Sequence, residues 1–390
     1  MESPGHFLRP LDKASNKSSM FNVNIRQVIH ILELTGTFTC TWPLDPNSSK
    51  REIVYRNIRW AFAMFNVIFL MISLVLAVFH FRNDVIVLMK TASEMTALLE
   101  VFFDLLICKM KNAQLQVLIE KIKAYLEVIG EQESKIIQGY IDRYQNFFSV
   151  TAMSYVVTAI SFSFVPLFSA QELPADGWIP FTMEPFAVYW LIYASQVYCI
   201  LQTAFCIGVD FTIAVLFTYA AAKLDILGMK LRQVHDRDML VSCVKEHQEI
   251  IGFVEATKAT VEALLFKTNA TMGSAVICGA FPLIYNQSLA IVSQFLPLVA
   301  GGCAHLFVIS WPADDLKESS LRFAKSLGEI SWLGKPRDMT KIIVIMMQRS
   351  QKLFLIRMGG LLPALTLEYY ANFLTTVSSY FMAMRTMIES

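Results

Sequence analysis

Charged and uncharged positions along this chain separate into long blocks rather than alternating over a few residues. Trp60 to Phe81 gives 22 consecutive uncharged residues, held between Arg59 and Arg82. Arg143 and Glu172 bracket 28 more, carrying the apolar run Phe147 to Phe168. Glu184 and Asp210 bracket 25, and the apolar pattern then continues to Ala222. Thr268 to Ala313 is 46 residues without a charge. At about 1.5 Å per helical residue this stretch exceeds twice the ~30 Å of a bilayer core. It therefore predicts two helices folded at its one polar point, Tyr285-Asn286-Gln287-Ser288. Leu367 to Met387 is the last block, with 16 uncharged residues between Glu368 and Arg385. A further run, Val85 to Ile107, is as apolar but holds Lys90, Glu94, Glu100 and Asp104.

The basic residues decide how these blocks are used. If Val85 to Ile107 crosses the membrane with the other six, 30 of the 33 Lys and Arg fall in connectors on one side and 2 on the other, Lys90 lying within a span. Basic connectors stay cytoplasmic. The expected fold is thus an all-α membrane protein with seven transmembrane helices, amino terminus cytoplasmic and carboxyl terminus extracellular. No apolar run precedes Trp60, so no cleaved signal peptide is expected. Of the glycosylation sequons, that topology places Asn286 outside. The composition agrees, at 55% hydrophobic and only 17% charged, against about a quarter charged in soluble domains. A net charge of +1 argues against a nucleic-acid binder. The seven cysteines show no metal or disulfide spacing and read as buried thiols.

Several functions are excluded by position. Asp142-Arg143-Tyr144 precedes the third span, whereas G-protein-coupled receptors carry that tripeptide after it. The Asn-Pro-x-x-Tyr of those receptors is missing from the last span. No phosphate loop, nucleophile elbow or His pair is present, so neither an enzyme nor a metal or cofactor site is called for. A secondary transporter would place substrate at Lys90, Glu94 and Asp210, yet no internal repeat is visible.

Between the sixth and seventh blocks, Trp332-Leu333-Gly334-Lys335-Pro336 reads as a turn. Asp338 then caps a helix with Met339, Ile342, Ile343, Met346 and Met347 on one face. Few basic residues flank that stripe, which favours packing on neighbouring subunits over lying on a leaflet. Lys223 to Lys267 also has helical periodicity. Thr366 is placed to cap the final span.

The segment Gly328 to Met387 resembles the insect odorant receptors. The resemblance rests on Trp332, on Met346-Met347-Gln348-Arg349-Ser350-Gln351-Lys352, on Pro363-Ala364-Leu365-Thr366-Leu367-Glu368 and on Ser378-Ser379-Tyr380-Phe381. Seven spans with the amino terminus inside is also that family's arrangement. The gustatory branch ends in Thr-Tyr, five apolar residues and Gln-Phe, from which Thr386-Met387 departs. The resemblance implies a ligand-gated, non-selective cation channel of four subunits with the last helix lining the pore. It also implies a plasma-membrane tuning subunit in sensory dendrites, paired in a heterotetramer with a co-receptor subunit. A gustatory-type homomeric channel stays open as the alternative.

On this reading the chain divides into a cytoplasmic segment 1–59, spans and loops 60–311, a cytoplasmic loop and anchor helix 312–362, and a pore helix with tail 363–390. Trp332, Ile342, Ile343, Met346 and Met347 form the anchor. Thr376, Tyr380, Ala383 and Met387 lie on one helical stripe, and with Thr386 form the expected pore and gate. Met89, Tyr155, Thr158, Phe162, Tyr189, Tyr193, Gln196 and Phe295 are the expected odorant contacts, an apolar set with a few hydroxyls and amides that suits a small volatile, aromatic rings included. Lys90 and Glu94, one turn apart, are expected to pair.

Overall fold

The structure, a computed structural model, describes residues 23–45, 47–168, 171–181, 183, 185–285, 289–330, 336–358 and 363–389. Among these residues the chain is helical, apart from connectors and one isolated bridge between Arg357 and Ala364. A short α1 (Ile25–Phe38) opens with a capping box, Asn24 and Gln27 each satisfying the other's backbone N–H. Ser49 and Glu52 start α2 (Lys50–His80) in the same way. Then follow α3 (Val85–Met110), α4 (Asn112–Val128), α5 (Glu131–Phe168), α6 (Phe186–Arg232), α7 (Arg237–Tyr285), α8 (Leu289–Gly328), α9 (Arg337–Ser350) and α10 (Leu367–Glu389).

Four of these, α2, α5, α6 and α8, are long and apolar enough to cross a membrane. The exposed residues show what solvent they meet. Val150, Met153, Val157, Ile160, Phe164 and Leu167 form an exposed apolar stripe along α5, and Phe62, Phe65, Ile68, Ile72, Val75 and Phe79 do the same on α2. In water, stripes of this length would drive aggregation; in hydrocarbon they cost nothing, and the chain is a membrane protein.

At 47 and 49 residues, α6 and α7 each run about 70 Å, so both extend well past a bilayer. Lys223 to Lys267, expected as a helical connector, continues both helices and holds only the short turn between Arg232 and Arg237. Their joined ends meet the early turns of α5 and the late turns of α8 in a polar clasp. Tyr140 donates to Asp225 at 2.6 Å, and the Arg322 guanidinium donates to the same carboxylate at 2.8 Å. Arg143 reaches both Asp315 oxygens at 3.0 Å, and Tyr144 donates to Asp315 as well. The Asp142-Arg143-Tyr144 tripeptide is thus part of an interhelical tie. The expected boundaries at 59/60 and 311/312 fall inside α2 and α8, which pass through them unbroken.

The α9 helix differs from expectation in two respects. Its N-cap is Pro336, with no side-chain cap hydrogen bond, and Asp338 sits within the first turn; there its charge meets the positive end of the helix dipole instead. Met339, Ile343 and Met346 are buried in this chain's own core, Ile342 and Met347 pack partly against it, and Val344 and Ile345 remain exposed. Trp332 and the turn up to Lys335 lie outside the described residues. Thr366 does cap α10, its hydroxyl accepting the Tyr369 N–H at 3.1 Å.

Candidate functional site

At the end of the bundle away from α4 and α9, six helices leave a cavity of about 130 Å³. The lining residues come from late α2 (Leu70, Leu74), early α3 (Glu94 to Glu100) and late α5 (Ser154 to Phe162). They continue with early α6 (Cys199 to Ile207), the second half of α7 (Met272, Ala275) and early α8 (Pro297 to His305). Late and early turns alternate because successive helices run in opposite directions. Gly301 and Gly302 let α8 approach closely: a Cβ on Gly302 would lie 2.8 Å from the Val276 side chain. The Tyr155 ring edge occupies the space beside Gly301.

The connector between α5 and α6 closes one end. Ala175 lines the cavity, and its N–H donates to the buried Gln196 side chain at 3.0 Å. Trp178 donates its N–H to the Ser73 carbonyl at 3.1 Å and stacks on His80 at 4.7 Å. Asp176 bridges two side chains of α3: its N–H donates to Glu94 at 2.9 Å and its carboxylate takes Lys90 at 3.1 Å. The expected Lys90–Glu94 pair is therefore replaced by two contacts through Asp176, because the connector brings a carboxylate nearer the ammonium.

The opposite end of the cavity rests on a buried ionic network. Lys267 sits between Glu100 and Asp104, 2.8 Å from the latter, with all three side chains 5% exposed or less. Thr268 and Thr271 also donate to Glu100. His305 Nε2 lies 2.6 Å from Asp210 Oδ2, and its Nδ1 lies 2.8 Å from the Tyr155 hydroxyl. Glu100 and Asp104, two of the charges that interrupt the apolar run Val85 to Ile107, find their partner in Lys267 of α7 inside the bundle. Ligand atoms of Glu100, Asp210 and His305 come within 4.8 Å of one another, an arrangement that can hold a cation. The Lys267 ammonium already supplies a positive charge to Glu100.

Of the expected odorant contacts, Tyr155, Thr158 and Phe162 line the cavity. Tyr193 instead donates to the Ser163 carbonyl at 2.6 Å, and Tyr189 donates to that of Glu172 at 3.0 Å. Gln196 is buried in its bond to Ala175, Phe295 is fully buried with Lys90 above its ring, and Met89 is half-buried outside the lining. Sequence reasoning missed Thr203 and Ile207, one turn apart on α6, and did not count Glu94 or Glu100 among the odorant contacts. On α10, Thr376, Tyr380, Ala383 and Thr386 are exposed, Tyr380 to 53%; the Met387 side chain lies outside the described ones. The start of α10 is fixed to α7 by Tyr369 donating to Asn269 at 2.6 Å.

Known proteins share this arrangement. The chain is 25% identical over 248 residues to Odorant receptor 30a of Drosophila melanogaster, covering 58% of this chain and 63% of that receptor. It is 20% identical over 378 residues to Odorant receptor 46a, isoform B, of the same fly, covering 87% and 93%. The structure of the insect olfactory receptor OR5 from Machilis hrabei superposes with a TM-score of 0.78 at 15% identity, covering 92% of this chain and 98% of that one. Its complex with eugenol gives 0.76 at 14% identity, covering 93% and 97%. These two likenesses show a common fold. The family model described as 7tm Odorant receptor matches residues 84–377, most of the chain, and the protein belongs to that family of insect odorant receptors.

Proposed function

We propose that this chain is the odorant-binding subunit of a heteromeric, ligand-gated, non-selective cation channel in the plasma membrane of sensory neurons. The observation that carries the reading is the apolar cavity of about 130 Å³ lined by six helices. Such a site holds a small volatile by burial, with a few polar groups for orientation. The chain crosses the membrane seven times, through α2, α3, α5, α6, α7, α8 and α10, with its amino terminus inside and the cavity in the outer half. α10 is exposed along much of its length in the single chain, as expected of a helix completed by other subunits around a pore. Thr376, Tyr380, Ala383, Thr386 and Met387 face that axis. The exposed Val344 and Ile345 of α9 supply its contact with neighbours. A co-receptor subunit is the partner.

The test is electrical. Expressed with a co-receptor and exposed to an odorant panel, the chain gives agonist-evoked current that reverses near zero millivolts. Full current without any co-receptor moves the reading to a homomeric gustatory-type channel. Current that requires a gradient of the applied compound replaces the channel with a transporter.

A further inference from the structure

The connector that caps the cavity is tied to the helices beside it by different chemistries. On α2 the tie is neutral. The Trp178 N–H donates to the Ser73 carbonyl at 3.1 Å, and the Ser73 hydroxyl donates to the Trp178 carbonyl at 3.2 Å. A Cβ on Gly177 would collide with the Ser73 Oγ, so the connector lies this close only without a side chain there. On α6 the ties are neutral too, with Gln196 accepting the Ala175 N–H and Tyr189 donating to the Glu172 carbonyl. Among the described residues, the tie to α3 alone is built from ionisable side chains.

There the Asp176 carboxyl meets Lys90 at 3.1 Å, and the Asp176 and Glu94 side chains also hydrogen-bond each other. Two carboxyl groups make that contact only with a proton between them. With the proton, the trio of Lys90, Glu94 and Asp176 is neutral; without it, one negative charge is left over. The facing stretches of α2, α5, α6, α7 and α8 are uncharged runs, Phe295 of α8 lies 6.0 Å from the Lys90 ammonium, and Glu100 further along α3 is engaged with Lys267. Arg82, Asp84 and Glu172 are exposed to solvent, and His80 of α2, also exposed, stacks on the Trp178 ring.

Resting on the odorant-cavity reading above, we propose that the connector is a proton-held door: the proton shared by Glu94 and Asp176 keeps it shut, and loss of that proton frees it for ligand passage. The Lys90 and Asp176 side chains are 17% and 16% exposed, so a small outward step returns Asp176 to water, where each acid ionises alone. The closed state thus binds one proton more than the open one. Its advantage falls as pH rises, by up to about tenfold in the closed-to-open ratio per pH unit while the pair titrates.

The experiment follows backbone amide exchange in the full chain in detergent between about pH 5 and 9, each rate divided by that of the unfolded chain at the same pH. The Ala175 and Asp176 amides should lose at least about tenfold of their protection across this range, with the amides of the spans unchanged. Glu94→Gln keeps the contact through its amide N–H at every pH and should hold protection flat. His80→Phe keeps a ring on Trp178 and should leave the slope as it is. Native protection that changes by less than about threefold overturns the proposal, and this measurement needs no variant to fold. A folded Glu94→Gln protein with the native slope overturns it as well, and so does a slope lost in His80→Phe, which assigns the proton to the imidazole. Fluorobenzene, close in size to the benzene that apolar cavities of this order hold, tests the cavity reading itself. It should raise the unfolding temperature, and its release, followed by fluorine NMR, should quicken as protection falls. Sloped protection with no fluorobenzene bound leaves the proton latch standing and removes the cavity reading. Binding with a release rate independent of pH keeps the cavity and overturns the door.

Discussion

Lys267 holds two buried carboxylates, Glu100 and Asp104, with one ammonium. Its replacement by Met keeps the chain length of the side chain and leaves both acids without their cation. Breaking a buried pair from one side costs about 3–5 kcal/mol, so Lys267→Met should lose most of its folded, surface-delivered protein. The added changes Glu100→Gln and Asp104→Asn, which remove the stranded charge, should recover a good part, as judged by thermal unfolding of purified protein. His247, on the α7 turns beyond the spans, makes a separate case. Burial, with Arg349 nearby, lowers its imidazole to about 4. Between that value and the ordinary ~6.5, the unfolded chain binds a proton that the folded chain refuses. Stability is therefore full above this window and falls as pH drops through it, by up to about 3 kcal/mol at ~1.4 kcal/mol per unit. His247→Phe keeps the ring contact with Phe323 and should flatten that slope in unfolding scans between pH 4 and 7.

Helix packing is set by a few small residues whose neighbours are known. Gly302 brings α8 so near α7 that an added Cβ meets Val276 at 2.8 Å, whereas Gly139 in α5 has nothing within 4 Å. Gly302→Ala should thus cost about 1–3 kcal/mol through overpacking, and Gly139→Ala should gain about 0.5–1 kcal/mol from lost unfolded-state freedom; a lower melting temperature for the first and a higher one for the second would bear this out. The same contrast separates what the sequence reveals from what it hides. Uncharged runs locate the long apolar helices because hydrocarbon admits little else, and Thr366 marks the start of α10 because a hydroxyl is what an exposed N-terminus needs. The cavity was only half legible. Tyr189, Tyr193 and Gln196 are the polar and aromatic residues visible at the start of α6, but the lining begins at Cys199, a turn further in. That depth depends on which faces of six helices meet, and no single helix encodes it. Lys90 and Glu94 illustrate the same limit: their spacing predicts a pair, and a carboxylate from a distant connector intervenes.

At the scale of the whole molecule, the two ends of the bundle differ in chemistry. The polar clasp of Tyr140, Asp225, Asp315 and Arg322 and the basic connectors lie at one end of the bundle; the cavity and the acidic cap at Asp176 lie at the other. Under the proposed topology the basic connectors stay on one side of the bilayer, the usual charge preference, and that end faces the cytoplasm. α10 starts near mid-bundle, at the Tyr369–Asn269 bond, and runs alongside α7 towards the cavity end, since Phe373 follows Tyr369 as Gly273 follows Asn269. Under the proposed topology its tail leaves on the far side. An epitope placed after Ser390 should be stained on intact cells as strongly as on permeabilised ones, while one placed before Met1 should need permeabilisation. The reverse pattern would put the cavity on the cytoplasmic side, where an airborne ligand dissolved outside the cell would have to cross the membrane before binding. It would also set the exposed stripe of α10 at the wrong end of the pore for the gate proposed near Ala383 and Thr386.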